Sequence, residues 1–131
     1  MLYDALVTAL REELPDLQAI YLFGSRGRGE EHAGSDVDVA VLGPRPIDPV
    51  GRWELQERLA VLVHAPVDLV DLRAASTVMR VQVLDGSTLL FEADAPARAL
   101  FEATALGAYA RLEEERRGIL DDVHRTGHVY R

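Results

Sequence analysis

Cysteine and lysine are both missing from this sequence of 131 residues. Without cysteine the chain has no disulfide, no thiolate zinc site and no thiol nucleophile. All 14 basic residues are arginine, which excludes a Walker-type phosphate loop and a lysine Schiff base. There is also no apolar run long enough to cross a bilayer. The N-terminal segment does not resemble a signal peptide, because acidic residues lie among its apolar residues. We therefore expect a cytoplasmic protein with no membrane partner.

Basic residues are outnumbered by acidic ones, and the formal net charge is −8. Proteins that grip a long nucleic acid through its phosphates usually carry a basic face, so we expect no such partner. A nucleotide is not excluded, since metal ions can carry its phosphates. The hydrophobic fraction of 48% is that of a folded protein, and the length suits one domain, residues 1–131.

Apolar periodicity predicts helices that alternate with short strands. Helices are predicted at Leu2–Leu14, Pro49–Val63, Ala75–Leu84 and Pro96–Val123, and strands at Ala19–Phe23, Val37–Leu42, Val67–Leu72 and Ser87–Phe91. One or two further helical turns are expected from Ser25 onward. The fold class is therefore α/β (α+β), a small mixed sheet with helices packed against it. Trp53 is expected to pack between its helix and the sheet.

A Gly-Ser pair follows the first predicted strand and precedes a predicted helix start. The first turn of a helix offers unpaired N–H groups, which suit a phosphate, and Gly24 lets the backbone approach it closely. Ser25 can add a hydrogen bond, and Arg26 can neutralise the phosphates. Two plainer interpretations stand beside this one, in which Ser25 is an ordinary helix N-cap and Arg26 pairs with nearby glutamates.

Two acidic residues open the second predicted strand. Asp36 and Asp38 are two positions apart, so their side chains point to one face. Neighbouring carboxylates repel each other unless a cation lies between them or one is protonated, and Mg²⁺ prefers a few carboxylates together with phosphate oxygens. The pattern predicts part of a metal site, although a solvated strand face would give the same spacing.

The third predicted strand carries two more aspartates, Asp68 and Asp71. An aspartate within an apolar strand is unfavourable unless it is paired or metal-bound. Alternation puts the two on opposite faces, so at most one can join Asp36 and Asp38. The pattern alone does not choose between them, and Asp71 could equally lie in water at the strand end.

Together these features resemble a known family. Residues 22–43, LFGSRGRGEEHAGSDVDVAVLG, are similar almost position by position to the signature of minimal nucleotidyltransferases, the MntA-like antitoxins of the polymerase-β nucleotidyltransferase superfamily. The later PVDLVDL resembles the group's third-carboxylate strand. The resemblance implies a nucleotide-binding role for Gly24, Ser25, Arg26 and Ser35, and a catalytic and metal-binding role for Asp36, Asp38 and Asp68. It also selects Asp68 over Asp71.

The resemblance further implies an activity and a partner. With two Mg²⁺ ions and ATP, the chain would transfer AMP to a protein hydroxyl, a tyrosine of a HEPN-domain RNase toxin, and so act as the antitoxin. Two alternatives stay open: a non-catalytic antitoxin that masks the toxin by binding it, and a nucleotidyltransferase that acts on a small-molecule hydroxyl. Apolar residues at mostly three-or-four spacing along the final helix, 96–123, suit a homo-oligomeric or hetero-oligomeric seam, or simple packing on the sheet.

Overall fold

The computed structural model describes residues 2–24 and 36–126. Its helices are α1 (Leu2–Glu13), α2 (Pro49–Val63), α3 (Thr77–Leu84) and α4 (Ala95–Thr126), and its strands are β1 (Ala19–Phe23), β2 (Val37–Leu42), β3 (Val67–Asp71) and β4 (Thr88–Glu92). Each of these elements was predicted from the sequence, with ends that differ by no more than three residues. The helical turns predicted from Ser25 onward lie outside the described residues.

The four strands form one mixed sheet in the order β3-β2-β1-β4. β1 runs antiparallel to β2 and β4, whereas β2 and β3 are parallel. This register places Phe23, at the end of β1, opposite Asp38 near the start of β2, and Asp38 in turn opposite Asp68 on β3. The sheet therefore gathers the end of one strand and the beginnings of two others along one margin.

Strand alternation gives the sheet two apolar faces, each covered by a pair of helices. One face carries Ile20, Val39 and Leu69 and packs against buried leucines of α1 and α2. The other face carries Tyr21 and Ala40 and packs against α3 and the first part of α4. The fold class predicted from the sequence, a mixed sheet with helices packed against it, is confirmed.

Local capping sets the helix ends. The Asp48 side chain accepts a hydrogen bond of 3.0 Å from the Gly51 amide and so begins α2, and His64 ends it in the left-handed conformation with φ 54°. Ser76 accepts from the Met79 amide, which explains why α3 begins at residue 77 rather than 75. The prediction that Trp53 packs against the sheet is wrong, because this side chain of α2 is 54% exposed.

The long helix α4 is anchored only by its first part. Phe101 is buried against the α3 face of the sheet and Ala105 is also buried, whereas none of the side chains from Leu106 to Val123 is buried. This outer part spans about 25 Å at the usual rise per residue. No helix within the described residues is both long and apolar enough to span a membrane.

Candidate active site

Three aspartates lie along one margin of the sheet. Asp38 of β2 and Asp68 of β3 are paired neighbours across the parallel strands, so their side chains leave the same face of the sheet. Asp36 directly precedes β2, two residues before Asp38. Asp36 and Asp68 are exposed and Asp38 is half-buried. The structure thus brings the three carboxylates that the sequence singled out into one neighbourhood.

The electrostatics of Asp38 reflect this crowding. Burial raises the pKa of Asp38 above its ordinary value, and the negative charges of Asp68 and then Asp36 raise the pKa further. A carboxyl group whose pKa is raised in this way ionises only at a free-energy cost, and a nearby cation would offset that cost. The donor set, which consists of oxygens alone, has the chemistry that Mg²⁺ prefers.

The aspartates do not form a closed metal cage. Across residues 2–24 and 36–126, no group of three or more Asp, Glu or His side chains is arranged to hold a metal ion by itself. Mg²⁺ is usually bound through one or two carboxylates, with substrate phosphates and waters completing its shell. The arrangement therefore fits a cation that arrives with a nucleotide better than a permanent structural metal.

Gly24 closes the site on the β1 side. Its φ of +68° lies in the left-handed region, which glycine adopts without strain. A Cβ at this position would lie 2.2 Å from Oδ2 of Asp38, so any other residue would force the Asp38 carboxylate to move. The backbone at the end of β1 therefore approaches the Asp38 carboxylate directly, and only glycine permits this approach.

The remaining predicted nucleotide-binding residues, Ser25, Arg26 and Ser35, lie outside the described residues. Gly24 on one side and Asp36 on the other bound the segment that contains them. Because Phe23 pairs with Asp38, the described residues next to both ends of this segment lie at the margin with the aspartates. The phosphate-binding role of the three residues stays a prediction.

Asp71 has a different environment from Asp68. It is 5% exposed, and its carboxylate accepts hydrogen bonds from the amides of Ile47 (2.7 Å) and Arg73 (3.1 Å). Asp71 therefore ties the loop before α2 to the turn after β3. The interpretation that it lies in water at the strand end is wrong. The Asp-x-Arg turn was a usable signal, because aspartate commonly accepts from the amide two residues later.

Sequence reasoning missed two residues beside the site, Arg52 and Gln56 of α2. Arg52 Nη1 donates to the carbonyl of Leu69 (2.9 Å), and Gln56 Oε1 accepts from the amide of Leu69 (2.9 Å). Leu69 directly follows Asp68 on β3. The available signal was the spacing of four between two polar residues on one helix face, just ahead of an acidic strand.

Comparison with known proteins agrees with this geometry. The chain matches the family described as polymerase beta, nucleotidyltransferase, over residues 6–96, and it belongs to that family. The match ends where α4 begins, so the sheet and its first three helices carry the family's core. The family resemblance and the fold predicted from it are confirmed.

More specific similarity is found to antitoxin proteins. Over 120 residues the chain is 42% identical to the protein adenylyltransferase MntA of Shewanella oneidensis, covering 92% of this chain and 86% of that protein. It resembles a toxin–antitoxin structure with AMP-PNP, with a TM-score of 0.82 and 41% identity, covering 92% of this chain and 97% of that one. It also resembles a complex of tri-AMPylated Shewanella oneidensis HEPN toxin with MNT antitoxin, with a TM-score of 0.78 and 38% identity, covering 94% and 96%.

Proposed function

We propose that this chain transfers AMP from ATP to a tyrosine hydroxyl of a HEPN-family RNase toxin and so acts as its antitoxin. The observation that carries the proposal is the pairing of Asp38 with Asp68, together with the close approach of the Gly24 backbone to the Asp38 carboxylate. The adenylyltransferase relative and the complex of MNT antitoxin with a tri-AMPylated toxin support the choice of AMP and of the acceptor. The AMP-PNP complex supports ATP as the donor.

The phosphates of ATP would bind at the margin beside Gly24. We assign Gly24, Ser25, Arg26 and Ser35 to the triphosphate, because glycine leaves room for the phosphate and the other three supply hydroxyl or guanidinium donors. Asp36, Asp38 and Asp68 would hold two Mg²⁺ ions. When bound, these ions would neutralise the triphosphate and make the acceptor hydroxyl easier to deprotonate.

The chemistry is an in-line displacement at the α-phosphorus. The tyrosine oxygen forms a bond to this phosphorus, the bond from the α-phosphorus to the bridging oxygen breaks, and pyrophosphate leaves with the electron pair. We assign the uptake of the phenolic proton to Asp68, and its exposure at the margin supports this assignment. Positioning and charge stabilisation account for catalysis of this kind, since the protein forms no covalent intermediate.

A second candidate function is neutralisation by binding alone. It would use the exposed outer part of α4, where the apolar side chains of Ile119 and Leu120 are 52% and 56% exposed. Such a surface suits a protein partner and would be needed for either function. Detection of AMP on the toxin therefore distinguishes modification from masking, whereas detection of the complex does not.

The test uses the purified chain, its cognate toxin, ATP labelled at the α-phosphate and Mg²⁺. We expect label on a toxin tyrosine, no label with ATP labelled at the γ-phosphate, and loss of RNase activity. Asp36→Asn and Asp38→Asn should each lower the transfer rate by about 10³-fold or more while the fold is retained. Wild-type transfer in either variant would contradict the site. A toxin silenced without label would select masking instead.

A further inference from the structure

Within residues 2–24 and 36–126, the outer edge of β3 is covered by two side chains rather than by another strand. β3 lies at the end of the sheet. The Pro66 carbonyl and the Leu72 amide bond to β2, so by alternation the Leu69 amide and carbonyl point away from β2. Gln56 Oε1 accepts from this amide and Arg52 Nη1 donates to this carbonyl, each at 2.9 Å.

The Gln56 bond acts on the peptide group that joins Asp68 to Leu69, and the Arg52 bond acts on the next peptide group, which begins at Leu69. The Leu69 amide nitrogen is bonded to the carbonyl carbon of Asp68, so Gln56 holds the peptide unit directly after this aspartate. Asp68 is paired with β2 on its other side, at Asp38. The Leu69 side chain is 1% exposed and fixes the opposite face of the strand. The backbone of Asp68 is therefore held from two directions, although its carboxylate is exposed.

Arg52 also orients Gln56. Its Nη1 donates to Gln56 Oε1 at 3.2 Å as well as to the Leu69 carbonyl. The amide oxygen of Gln56 thus receives one N–H from β3 and one from α2, which fixes its rotamer. Groups that hydrogen-bond around a metal ligand commonly set its position and change metal affinity strongly when they are removed.

We propose that Gln56, oriented by Arg52, is a positioning residue that sets the distance of Asp68 from Asp38 and so tunes the affinity of the site for a divalent cation with its nucleotide. The inference rests on the proposed function, because it takes Asp68 as a ligand. A purely structural role would be limited to covering the edge of β3, and would change stability without changing cation affinity.

The experiment compares Gln56→Met with Gln18→Met in the full-length chain. Gln18 is also half-buried, and its Oε1 accepts a bond of 3.0 Å from Arg73 at the opposite end of the sheet. Each variant keeps an unbranched side chain of similar length but loses one amide acceptor. Mn²⁺ affinity is measured in the presence of AMP-PNP by electron paramagnetic resonance, so that turnover plays no part. Thermal unfolding is measured in parallel.

We expect Gln56→Met to weaken Mn²⁺ binding by about 10-fold and to raise the Mg²⁺ concentration for half-maximal transfer by a similar factor. Gln18→Met should bind Mn²⁺ as the wild type does, at a comparable loss of thermal stability. Gln56→Glu, which retains an acceptor for the Leu69 amide beside Arg52, should recover most of the affinity. Wild-type Mn²⁺ affinity in Gln56→Met, or an equal loss in Gln18→Met, would overturn the proposal.

Asp68→Asn separates this inference from the function on which it rests. If Asp68→Asn binds Mn²⁺ and transfers AMP as the wild type does, the carboxylate site itself is wrongly assigned. If Asp68→Asn loses Mn²⁺ affinity while Gln56→Met keeps it, the site stands and only the positioning role of Gln56 fails.

Discussion

Asp68 and Asp71, three residues apart on β3, leave opposite faces of the sheet and have opposite surroundings. Asp68 is exposed and paired across the strands with Asp38, whereas Asp71 is buried and accepts two backbone hydrogen bonds. One carboxylate is thus available to a ligand, and the other is committed to holding a loop. The sequence supplied both aspartates, and their environments separate the candidate ligand from the structural residue.

This difference predicts opposite effects of substitution. Asp68→Asn should lower AMP transfer by about 10²-fold or more and leave the unfolding free energy nearly unchanged, because its carboxylate is solvated. Asp71→Ala should lower the unfolding free energy by about 2–4 kcal/mol, because two buried amides lose their acceptor. Urea unfolding and transfer assays on both variants check the pair. A stable, inactive Asp71→Ala protein would reverse the assignment.

A second prediction concerns Gly24, where a Cβ would meet the Asp38 carboxylate. Gly24→Ala should lower the unfolding free energy by about 1–2 kcal/mol from its left-handed φ alone. It should also lower transfer by at least about 10-fold, because Asp38 has to move. Gly118→Ala is the matched control: this glycine lies within α4, and its Cβ would meet nothing within 4 Å.

In Gly118→Ala the same chemical change should raise the unfolding free energy by about 0.5–1 kcal/mol, since alanine favours the helix, and should leave transfer unchanged. Thermal unfolding and the labelled-ATP assay measure both effects. Full activity in Gly24→Ala would show that the close approach at Asp38 is not required.

Most of the fold could be predicted because its signals are local. The runs Ala19–Phe23 and Val37–Leu42 are mainly apolar, of strand length and followed directly by glycine, and both strands form as predicted. The end of β3 was predicted one residue too late, at Leu72, because Leu72 continues the apolar run. In the structure the chain turns after Asp71, where its carboxylate accepts from the Arg73 amide two residues on.

The residue types of the site could be predicted, but the residues that hold the site in position could not. The spacing of Asp36 and Asp38 follows from strand alternation alone. The local signals, the Asp-x-Arg turn and the spacing of Arg52 and Gln56, indicate a turn and a shared helix face. They do not identify the distant partners, which are Ile47 for Asp71 and Leu69 for Arg52 and Gln56. The exposure of Trp53 was missed for the same reason, because periodicity does not reveal how much of a helix the sheet covers.

A third prediction follows from the raised pKa of Asp38, which burial and then the charges of Asp68 and Asp36 produce. Without a divalent cation, Asp38→Asn should be more stable than the wild type at pH 7, by about 0.5 kcal/mol, because solvent screens most of the repulsion. Below the ordinary pKa of 3.8 Asp38 is protonated in both folded and unfolded chains, so the difference should vanish.

As the pH rises from 3.8 through the folded pKa, the unfolded chain ionises Asp38 first, whereas the folded chain has to ionise it while partly buried and among like charges. The stability difference should therefore grow across this range and level off above the folded pKa. Urea unfolding in the presence of a chelator, at a series of pH values, measures it. A difference that is independent of pH would argue against electrostatic repulsion as the cause. Asp36→Asn is a useful companion, since it removes one of the charges that raise the pKa of Asp38.

A fourth prediction concerns Tyr21, whose hydroxyl donates to Glu102 of α4 at 2.8 Å. Burial raises the pKa of Tyr21 above its ordinary value, and the hydrogen bond and charge of Glu102 raise it further. Tyr21→Phe should lower the unfolding free energy by about 1 kcal/mol near neutral pH, since Glu102 retains its bond from Arg98 at 2.9 Å.

Because the folded pKa is raised, the contribution of Tyr21 is complete below the unfolded value of about 10 and should be lost as the pH rises through the folded value. The stability advantage of the wild type over Tyr21→Phe should therefore shrink above pH 10. Urea unfolding from neutral to alkaline pH measures this, and the other tyrosines cancel because both proteins contain them. A constant advantage would contradict the burial of the hydroxyl.

The last prediction concerns the outer part of α4, where Ile119 and Leu120 are more than half exposed. Relatives of this chain have been solved as toxin–antitoxin complexes, and exposed apolar side chains on an otherwise charged helix suit a protein contact. The double variant Ile119→Ser, Leu120→Ser should therefore raise the Kd of the toxin complex by about 10-fold or more, with little change in thermal stability.

Leu100→Ser is the control, because Leu100 is 70% exposed on the anchored part of the same helix. Calorimetric titration with the toxin should show a change of less than about 2-fold for the control, and an equal loss in both variants would place the contact elsewhere on the chain.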